Sequence, residues 1–316
     1  MTTLFETRRE VLEAAAKVLV GPTENLELCL LAMIVGGHVL LEGFPGTAKT
    51  LLAKTLARLT DARFGRVQFT PDLLPADIVG TVIYNQMRGD FEVRPGPVFT
   101  DLLLADEVNR SPAKTQAALL EAMEERQVTL DGQSRPLGGR FTVLATQNPI
   151  ELEGTFPLPE AELDRFLMKL EVEYLGPEGE SRLARMVDAG FDAHAPDQRL
   201  GGPLITASSL LELRAEVSRV VLSDEVVSYI TEVVQATRMA PELSVGASSR
   251  ATVALVHLSK ARAASLGRDY AEPDDVKELG VPVLRHRVQR RPEAEMQGIG
   301  EREVIERILA RVAVPR

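Results

Sequence analysis

The sequence has few of the residues that build disulfide frameworks and zinc sites. Only one of its 316 residues is a cysteine, Cys29, which excludes an intramolecular disulfide and a four-cysteine zinc site. The four histidines never form a His-x-x-x-His pair, so zinc bound through that spacing is not expected. They are His38, His194, His257 and His286. Cys29 lies in an apolar helical pattern, and we expect it to be a packed thiol.

Long apolar runs are also missing. The longest run, from Leu28 to Val35, has eight residues, whereas about 20 are needed to span a bilayer. The first residues carry charges, among them Glu6, Arg8 and Glu10, where a secretory signal would need an apolar segment. We therefore expect a cytoplasmic protein with no stable membrane insertion.

Basic residues are fewer than acidic residues. The 46 acidic and 36 basic side chains give a net charge of −10, which repels phosphate backbones and argues against nucleic acid as a partner. A basic cluster lies within residues 281–316, which contain no aromatic residue to interleave with it. We expect this cluster to be a solvated helix face or a contact between subunits. Its members are Arg285, His286, Arg287, Arg290 and Arg291.

The remaining composition is that of a globular protein, and 316 residues are too many for one ordinary core. Residues 1–170 alternate between strand and helix patterns, which predicts an α/β domain with inserted hairpins. Residues 171–206 are marked by glycine and proline, with one clear helical piece, and predict a linker. Residues 207–316 are helix-periodic and predict a small all-helical domain.

Local signals predict where several elements begin and end. Helical spacing covers about 4–20 and stops at Gly21–Pro22, and Thr23 is expected to cap the next helix. Another helix is expected to begin at Ser111–Pro112, with Ser111 as its N-cap. Hairpins are predicted at about 80–97 and 128–139, the second around an Asp-Gly turn.

A glycine-rich loop follows the apolar strand that begins at His38. It reads Gly43, Phe44, Pro45, Gly46, Thr47, Ala48, Lys49, Thr50. Such a loop turns backbone N–H groups toward a polyphosphate, with Lys49 on the β- and γ-phosphates and the Thr50 hydroxyl on Mg²⁺. The general motif has glycine where this chain has Ala48, and we expect the first helical turn to tolerate alanine there. The alternative is a glycine turn that binds no ligand.

A second strand, Leu102–Ala105, ends in two adjacent carboxylates, Asp106 and Glu107. In nucleotide hydrolysis the first would support Mg²⁺ and the second would polarise the attacking water. The alternative is a solvated loop that happens to begin Asp-Glu. The lysine of the glycine-rich loop lies 57 residues upstream, and this pairing favours nucleotide chemistry.

Four segments resemble the MoxR family of AAA+ ATPases, in which alanine before the phosphate-loop lysine is common. They are GHVLLEGFPGTAKT, DEVNRSPAKTQAALLEAMEERQVTLDG, TQNPIELEGTFPLPEAELDRF and VGASSRA. The resemblance implies an α/β fold: an AAA+ P-loop core with a parallel sheet between helices, and a small all-α C-terminal lid. It also implies an ATP-hydrolysing ring, a hexamer when active, with Mg²⁺ and ATP or ADP bound. Chaperone-like remodelling of a client protein, or metal insertion into it, would involve a partner with a von Willebrand factor A domain.

The resemblance further implies roles for single residues. Asn148 is similar to sensor 1, which orients the hydrolytic water, although an Asn-Pro turn is the alternative. Arg165 looks like an arginine finger for the neighbouring subunit's nucleotide, and a salt bridge to Asp164 or Glu162 is the alternative.

Two more positions match the family pattern. Arg250 resembles sensor 2, with Ser248 or Ser249 capping a helix start that faces the nucleotide, and a surface arginine is its alternative. Val20–Gly21 resembles the segment that packs on adenine, or else simply ends a helix. The two hairpins would project toward the ring pore or a partner, unless they are ordinary surface hairpins.

Competing functions remain open at this point. One is a nucleotide-gated binding switch that hydrolyses ATP slowly and assembles partners, and another is a chelatase-type motor subunit. A DNA motor is disfavoured because the chain is acidic and poor in aromatic residues.

Overall fold

The computed structural model describes residues 2–21, 23–87, 89–149, 155–193 and 195–315. Elements are numbered here in chain order. The strands are β1 (Val39–Gly43), β2 (Phe64–Gln68), β3 (Gly80–Asn85), β4 (Asp90–Pro95), β5 (Leu102–Asp106), β6 (Gln127–Leu130), β7 (Gln133–Pro136), β8 (Thr142–Gln147), β9 (Met168–Val172), β10 (Leu243–Val245) and β11 (Gln289–Arg290).

The helices fall into two groups along the chain. Those up to residue 200 are α1 (Leu4–Ala15), α2 (Glu24–Val35), α3 (Lys49–Leu59), α4 (Pro75–Val79), α5 (Ala113–Glu125), α6 (Glu160–Leu163), α7 (Pro177–Asp188) and α8 (Asp197–Leu200). The later ones are α9 (Ala207–Arg219), α10 (Asp224–Met239), α11 (Ser249–Ser265), α12 (Pro273–Leu284), α13 (Pro292–Met296) and α14 (Glu301–Arg311).

The central sheet has five parallel strands in the order β2-β5-β8-β1-β9. Alternate residues of each strand face opposite sides, so Leu102 and Leu104 join one apolar cluster while Leu103 and Ala105 join another. Helices cover both faces, as the apolar strands predicted. We call the edge where the strands end the carboxyl edge, and the edge where they begin the amino edge.

Both predicted hairpins are present outside this sheet. β3 pairs with β4 and β6 pairs with β7, each antiparallel. The second turns at Asp131 and Gly132, whose φ values of 50° and 72° are those the Asp-Gly turn requires. The tip of the first hairpin exposes Tyr84, Met87 and Phe91, while Arg88 lies outside the described residues.

Several boundaries differ from the prediction. The first helix ends at Ala15 and not near residue 20, and Thr23 makes no side-chain cap bond to α2. Pro22, expected to stop the first helix, lies outside the described residues. Ser111 is not the cap of α5, because a 3₁₀ turn precedes it and Pro112 (ψ 152°) is the non-helical residue before Ala113. The serine signal was wrong by one position.

Residues 171–206, predicted as a linker, carry α7 and α8. The C-terminal helices form a lid that packs on the core through α11 against α2 and α12 against β9. The lid also holds a short antiparallel pair, β10 with β11, which the all-helical expectation did not include. No helix in the described ranges is both long and apolar enough to cross a membrane. Cys29 is fully buried, as expected, and burial raises the pKa of its thiol.

One of the two interpretations of the basic cluster, a solvated helix face, was wrong, and the contact between subunits stays a prediction. The cluster is neither a solvated face nor a free basic surface, because its members bond to the core and to the rest of the lid. Arg285 pairs with Glu171, and His286 Nε2 lies 2.9 Å from the carbonyl oxygen of Phe166. Arg290 pairs with Glu301 at 2.7 Å. The helical spacing of these residues could not reveal partners more than 100 positions away.

Candidate active site

The phosphate loop joins β1 to α3 at the carboxyl edge. Gly43 has no room for a side chain, because a Cβ there would lie 2.3 Å from the carbonyl oxygen of Val172 on β9. Gly46 adopts φ 84°, which glycine reaches at no steric cost. The two glycines therefore have different roles. Gly43 lets the neighbouring strands approach each other, and Gly46 turns the loop.

The sequence led us to expect Ala48 in the first helical turn, but it does not lie there. It is the residue before α3 and has left-handed dihedral angles, φ 60° and ψ 21°. Such a conformation costs an L-residue about 1–2 kcal/mol, which explains why the general motif prefers glycine at this position. The strain lies next to Lys49, where backbone N–H groups must point out of the loop.

Lys49 is held over the loop. Its ammonium donates to the carbonyl oxygens of Gly43 and Phe44, both at 2.7 Å, and to the Thr47 hydroxyl at 3.1 Å. Partial burial lowers the pKa of Lys49, while the charges of Asp106 and Glu107 act in the opposite direction. The two carboxylates thus lie within electrostatic reach of the loop lysine, as the spacing in the sequence implied.

Asp106 ends β5 and is buried. Its carboxylate accepts a 2.6 Å hydrogen bond from the Thr146 hydroxyl and a 2.7 Å hydrogen bond from Arg66. Carboxylate and hydroxyl oxygens are the hard donors that Mg²⁺ prefers, with phosphate oxygens completing its shell. The donor set of Asp106 and Thr50, at the edge where the loop would hold phosphates, fits a nucleotide-bound Mg²⁺.

Glu107 adopts a left-handed conformation, φ 57° and ψ 50°, a backbone strain typical of functional positions. Gln68 donates to its carboxylate at 2.7 Å, and Arg110 pairs with it at 3.1 Å. Its backbone N–H donates to the Thr146 hydroxyl at 2.8 Å. Arg66 donates to both Gln68 and Asp106, so the two carboxylates belong to one hydrogen-bonded network.

Sequence analysis missed Arg66, Gln68 and Thr146. Arg66 and Gln68 lie two positions apart on β2, and Gln68 lies opposite Asp106 of β5 in the parallel register. Two polar side chains two positions apart in a short strand were a usable signal, because such residues share one face of a sheet. Thr146 is the first residue of the third family segment but was given no role there.

Asn148 follows β8, whose neighbours in the sheet are β5 and β1. It is buried at the carboxyl edge, and Asn109 donates to its backbone oxygen at 3.4 Å. The structure thus brings Asn148 to the same edge as the loop lysine and the two carboxylates. The segment that follows it, residues 150–154 of the third family motif, lies outside the described residues.

Val20–Gly21 also lies near the loop. Gly21 has φ 101°, and a Cβ there would lie 2.9 Å from a Leu175 methyl group, just beyond β9. Next to Leu175, Tyr174 stacks on Phe44 with ring centres 5.0 Å apart. Gly21 thus packs beside Leu175, whose neighbour Tyr174 contacts the phosphate loop, and the adenine role of this segment stays a prediction.

Arg165 and Arg250 lie together, at the other edge of the sheet. Arg165 forms ion pairs with Glu124 at 2.9 Å and Glu162 at 3.1 Å. Arg250 pairs with the same Glu124 and lies 3.8 Å from Asp164. The alternative proposed for Arg165, a bond to Glu162, is therefore present, and the finger role stays a prediction.

The register shows how far these arginines lie from their own phosphate loop. The backbone N–H of Leu167, two residues after Arg165, donates to His38 just before β1 begins. Val39 and Gly43 are four residues apart on β1, so the two edges are roughly 13 Å apart at 3.3 Å per residue.

The prediction for Arg250 is corrected in part. Ser248 does cap α11, accepting the backbone N–H of Arg250 at 3.1 Å. The helix start faces the amino edge, however, and not the phosphate loop of the same chain. Spacing in the sequence could not indicate the edge that the lid covers.

A buried ion pair connects the lid to this edge. Arg287 on the lid lies 2.8 Å from Asp164 and also donates to the carbonyl oxygens of Phe166 and Leu167. Ser248 donates to the other oxygen of Asp164 at 2.8 Å. Asp164 and Arg287 thus set the position of the lid relative to Arg165.

Comparison with known proteins agrees with this architecture. Residues 38–168 match the model of the ATPase family associated with various cellular activities (AAA), and residues 235–308 match the AAA lid domain. A crystal structure from Cytophaga hutchinsonii superposes with a TM-score of 0.90 at 45% identity, covering 99% of this chain and 96% of that one.

The sequence relatives extend over nearly the full chain. The chain is 42% identical to Uncharacterized protein YeaC of Bacillus subtilis, over 97% of this chain and 94% of that protein. It is 42% identical to Chaperone MoxR1 of Mycobacterium tuberculosis, over 99% and 81%, and 30% identical to Protein MoxR of Paracoccus denitrificans, over 91% and 90%. On this full-length similarity and the shared two-part architecture, the chain belongs to the MoxR family of AAA+ ATPases.

Proposed function

We propose that this chain hydrolyses ATP in a ring of identical subunits, with each active site built between two copies. The observation that supports this is the separation of the site residues. The phosphate loop, Asp106 and Glu107 lie at the carboxyl edge, whereas Arg165 and Arg250 lie at the amino edge, out of reach of the same phosphates. A second copy supplies the missing cations if its amino edge faces this carboxyl edge.

In this proposal the loop N–H groups and Lys49 bind the β- and γ-phosphates of ATP. Thr50 and Asp106 hold Mg²⁺, which when bound neutralises phosphate charge. Glu107 accepts the proton of the attacking water, and Asn148 orients that water. Val20–Gly21 packs on the adenine.

The neighbouring subunit completes the site. Its Arg165 would stabilise the charge that spreads over the γ-phosphate, an effect worth roughly 10³–10⁵ in rate for arginine fingers. Its Arg250, held to Arg165 through Glu124, would contact the same nucleotide in trans. A closed ring of such head-to-tail contacts, with six copies as the expected number, gives every subunit one complete site.

The work done by the ring is proposed to be chaperone-like remodelling or metal insertion in partner proteins. The name of the mycobacterial relative, a chaperone, favours a protein client. The hairpin tip with Tyr84, Met87 and Phe91 offers exposed apolar contacts, and the net charge of −10 disfavours nucleic acid. A partner with a von Willebrand factor A domain and a cytoplasmic location remain predictions from the sequence.

The test is steady-state ATP hydrolysis by Glu107→Gln. Losing a general base lowers the rate by roughly 10²–10⁴, while the phosphate loop still binds nucleotide. The exposed Glu121→Gln serves as the control with the same change in charge. Hydrolysis by Glu107→Gln at the parent rate would show that the catalytic assignment is wrong.

The same measurement separates the nucleotide-gated switch from the ATPase. An active site shared between subunits predicts that the rate per subunit rises with protein concentration. Slow hydrolysis that does not rise, together with tight ATP-dependent assembly, would indicate the switch instead.

A further inference from the structure

A pocket of about 440 Å³ lies between the core and the lid, where α2 ends beside α9 and α11. Its polar lining consists of Arg126, Arg214, Ser218, His257 and Lys260, and apolar walls include Val217 and Val256. No carboxylate lines it. In a chain with a net charge of −10, a pocket whose charged lining is entirely basic calls for an explanation.

The cations in this pocket have no ionic partner. Within the part of the chain that the structure describes, no carboxylate lies within 4.0 Å of Arg126, Arg214 or Lys260. They bond to backbone oxygens: Arg214 donates to Ile34 at 2.8 Å and Met33 at 3.1 Å, among others. These carbonyls end α2, and a helix C-terminus carries only about half a negative charge. Lys260 bonds instead to the Ser218 oxygen in the last turn of α9. Three full positive charges therefore exceed what the two helix ends compensate.

The two guanidinium groups are also held close together. A Cβ built on Gly36 would lie 3.2 Å from Arg126 Nη2 and 3.8 Å from Arg214 Nη2, so both groups flank one point. Burial lowers the pKa of Arg214, and the nearby charges of Arg126 and Arg140 lower it further. An anion between the guanidinium groups would remove this repulsion.

Arg126 adds a second sign that this arrangement has a use. It follows α5 in a left-handed conformation, φ 50° and ψ 29°, at a position where glycine or asparagine is common. The left-handed backbone at this arginine is energetically unfavourable, and its side chain reaches Gly36 at the end of α2. The cationic pair is thus preorganised by the backbone of the core.

We propose that this pocket is a second anion site, distinct from the phosphate loop, that binds a small phosphorylated molecule. Arginine forks match phosphate oxygens, and Lys260 and His257 lie at the same pocket for further oxygens. The apolar walls accommodate an organic group, and the volume is that of a small-molecule site. Arg126 belongs to the core while Arg214 and Lys260 belong to the lid, so the ligand joins the two.

The test uses pyrophosphate as the probe and the full chain with Lys49→Ala, which weakens the phosphate loop. Calorimetric titration at constant ionic strength is expected to show one site per chain. Adding Arg214→Gln and Lys260→Gln is expected to weaken binding at least tenfold. The control adds Lys114→Gln and Arg311→Gln, two exposed positions with the same change in charge, and is expected to keep the affinity.

Arg214 also bonds to the end of α2, so its loss could disturb folding. Lys260→Gln alone removes one 3.3 Å bond to the Ser218 oxygen and is expected to weaken binding severalfold with an unchanged melting temperature. The proposal is wrong if Lys49→Ala abolishes pyrophosphate binding by itself. It is equally wrong if the variants of Arg214 and Lys260 bind as tightly as the control.

Discussion

The two edges of the central sheet are organised in opposite ways. At the carboxyl edge, Ala48 and Glu107 have strained, left-handed backbone, which orients backbone N–H donors and a carboxylate away from the sheet. At the amino edge, ion pairs among Arg165, Glu124 and Arg250 hold the side chains instead. One edge thus gathers the glycine-rich loop, a lysine and two carboxylates, and the other gathers arginines. In the proposed ring, the two edges would be two halves of an active site that meet only between neighbouring subunits.

The largest expected effect tests whether the amino edge acts on a neighbour. Arg165→Ala should lower ATP hydrolysis by roughly 10³–10⁵, because the transition state loses a cation. Mixing it with Glu107→Gln, which has an intact amino edge, should restore part of the activity by pairing one good edge from each chain. Steady-state assays of the separate and mixed proteins measure this. If the mixture is as inactive as its components, the edges do not cooperate across subunits.

The next effect concerns what holds the amino edge to the lid. Arg287→Met removes the 2.8 Å ion pair with Asp164, which keeps only the Ser248 hydroxyl and the more distant Arg250. It also removes four hydrogen bonds to backbone oxygens, those of Asp164, Phe166, Leu167 and Val283. Breaking such a buried pair costs about 3–5 kcal/mol in free energy of unfolding. Arg307→Met, which breaks an exposed pair with Glu303, should cost less than about 1 kcal/mol. Urea unfolding measures the loss in each variant. Equal losses would show that the Asp164–Arg287 pair stabilises the fold no more than an exposed pair does.

A smaller effect separates Arg250 from Arg165. Arg250→Ala removes one charge-assisted contact of about 1.5–3 kcal/mol, which corresponds to a rate roughly ten- to a hundredfold lower. Nucleotide affinity of the isolated subunit should not change, because Arg250 lies at the edge away from its own phosphate loop. A fluorescent ATP analogue measured at low protein concentration reports that affinity. A large drop there would place Arg250 at its own nucleotide after all.

The smallest effect tests the strain at the carboxyl edge. Ala48→Gly should change the free energy of unfolding by less than about 1 kcal/mol. Relief of the left-handed strain, about 1–2 kcal/mol, is offset by the greater freedom of glycine in the unfolded chain. Thermal unfolding at matched concentration measures it, with Ala113→Gly at an exposed helix start as the comparison. A loss above 2 kcal/mol would mean that the methyl group packs in a way the backbone geometry does not show.

The carboxyl edge was largely predictable from the sequence, and the amino edge was not. Lys49 begins the helix after β1, and Asp106 and Glu107 lie at the end of β5, so contiguous motifs locate them at the carboxyl edge of a parallel sheet. Arg250 and Arg287 lie on the lid, and their partners depend on how two domains pack. Local patterns carry no information on that packing, which is why the basic cluster was read as a surface and the Arg250 helix was aimed at the wrong edge.

Thr146 has a consequence for how the site can move. Its one hydroxyl donates to Asp106 and accepts the backbone N–H of Glu107, and it lies two residues before Asn148. Asp106, Glu107 and Asn148, at the ends of β5 and β8, are therefore linked through Thr146 and do not move independently. A displacement of β8 would therefore reach both carboxylates at once, and a nucleotide that shifted this strand would act on the two acids together.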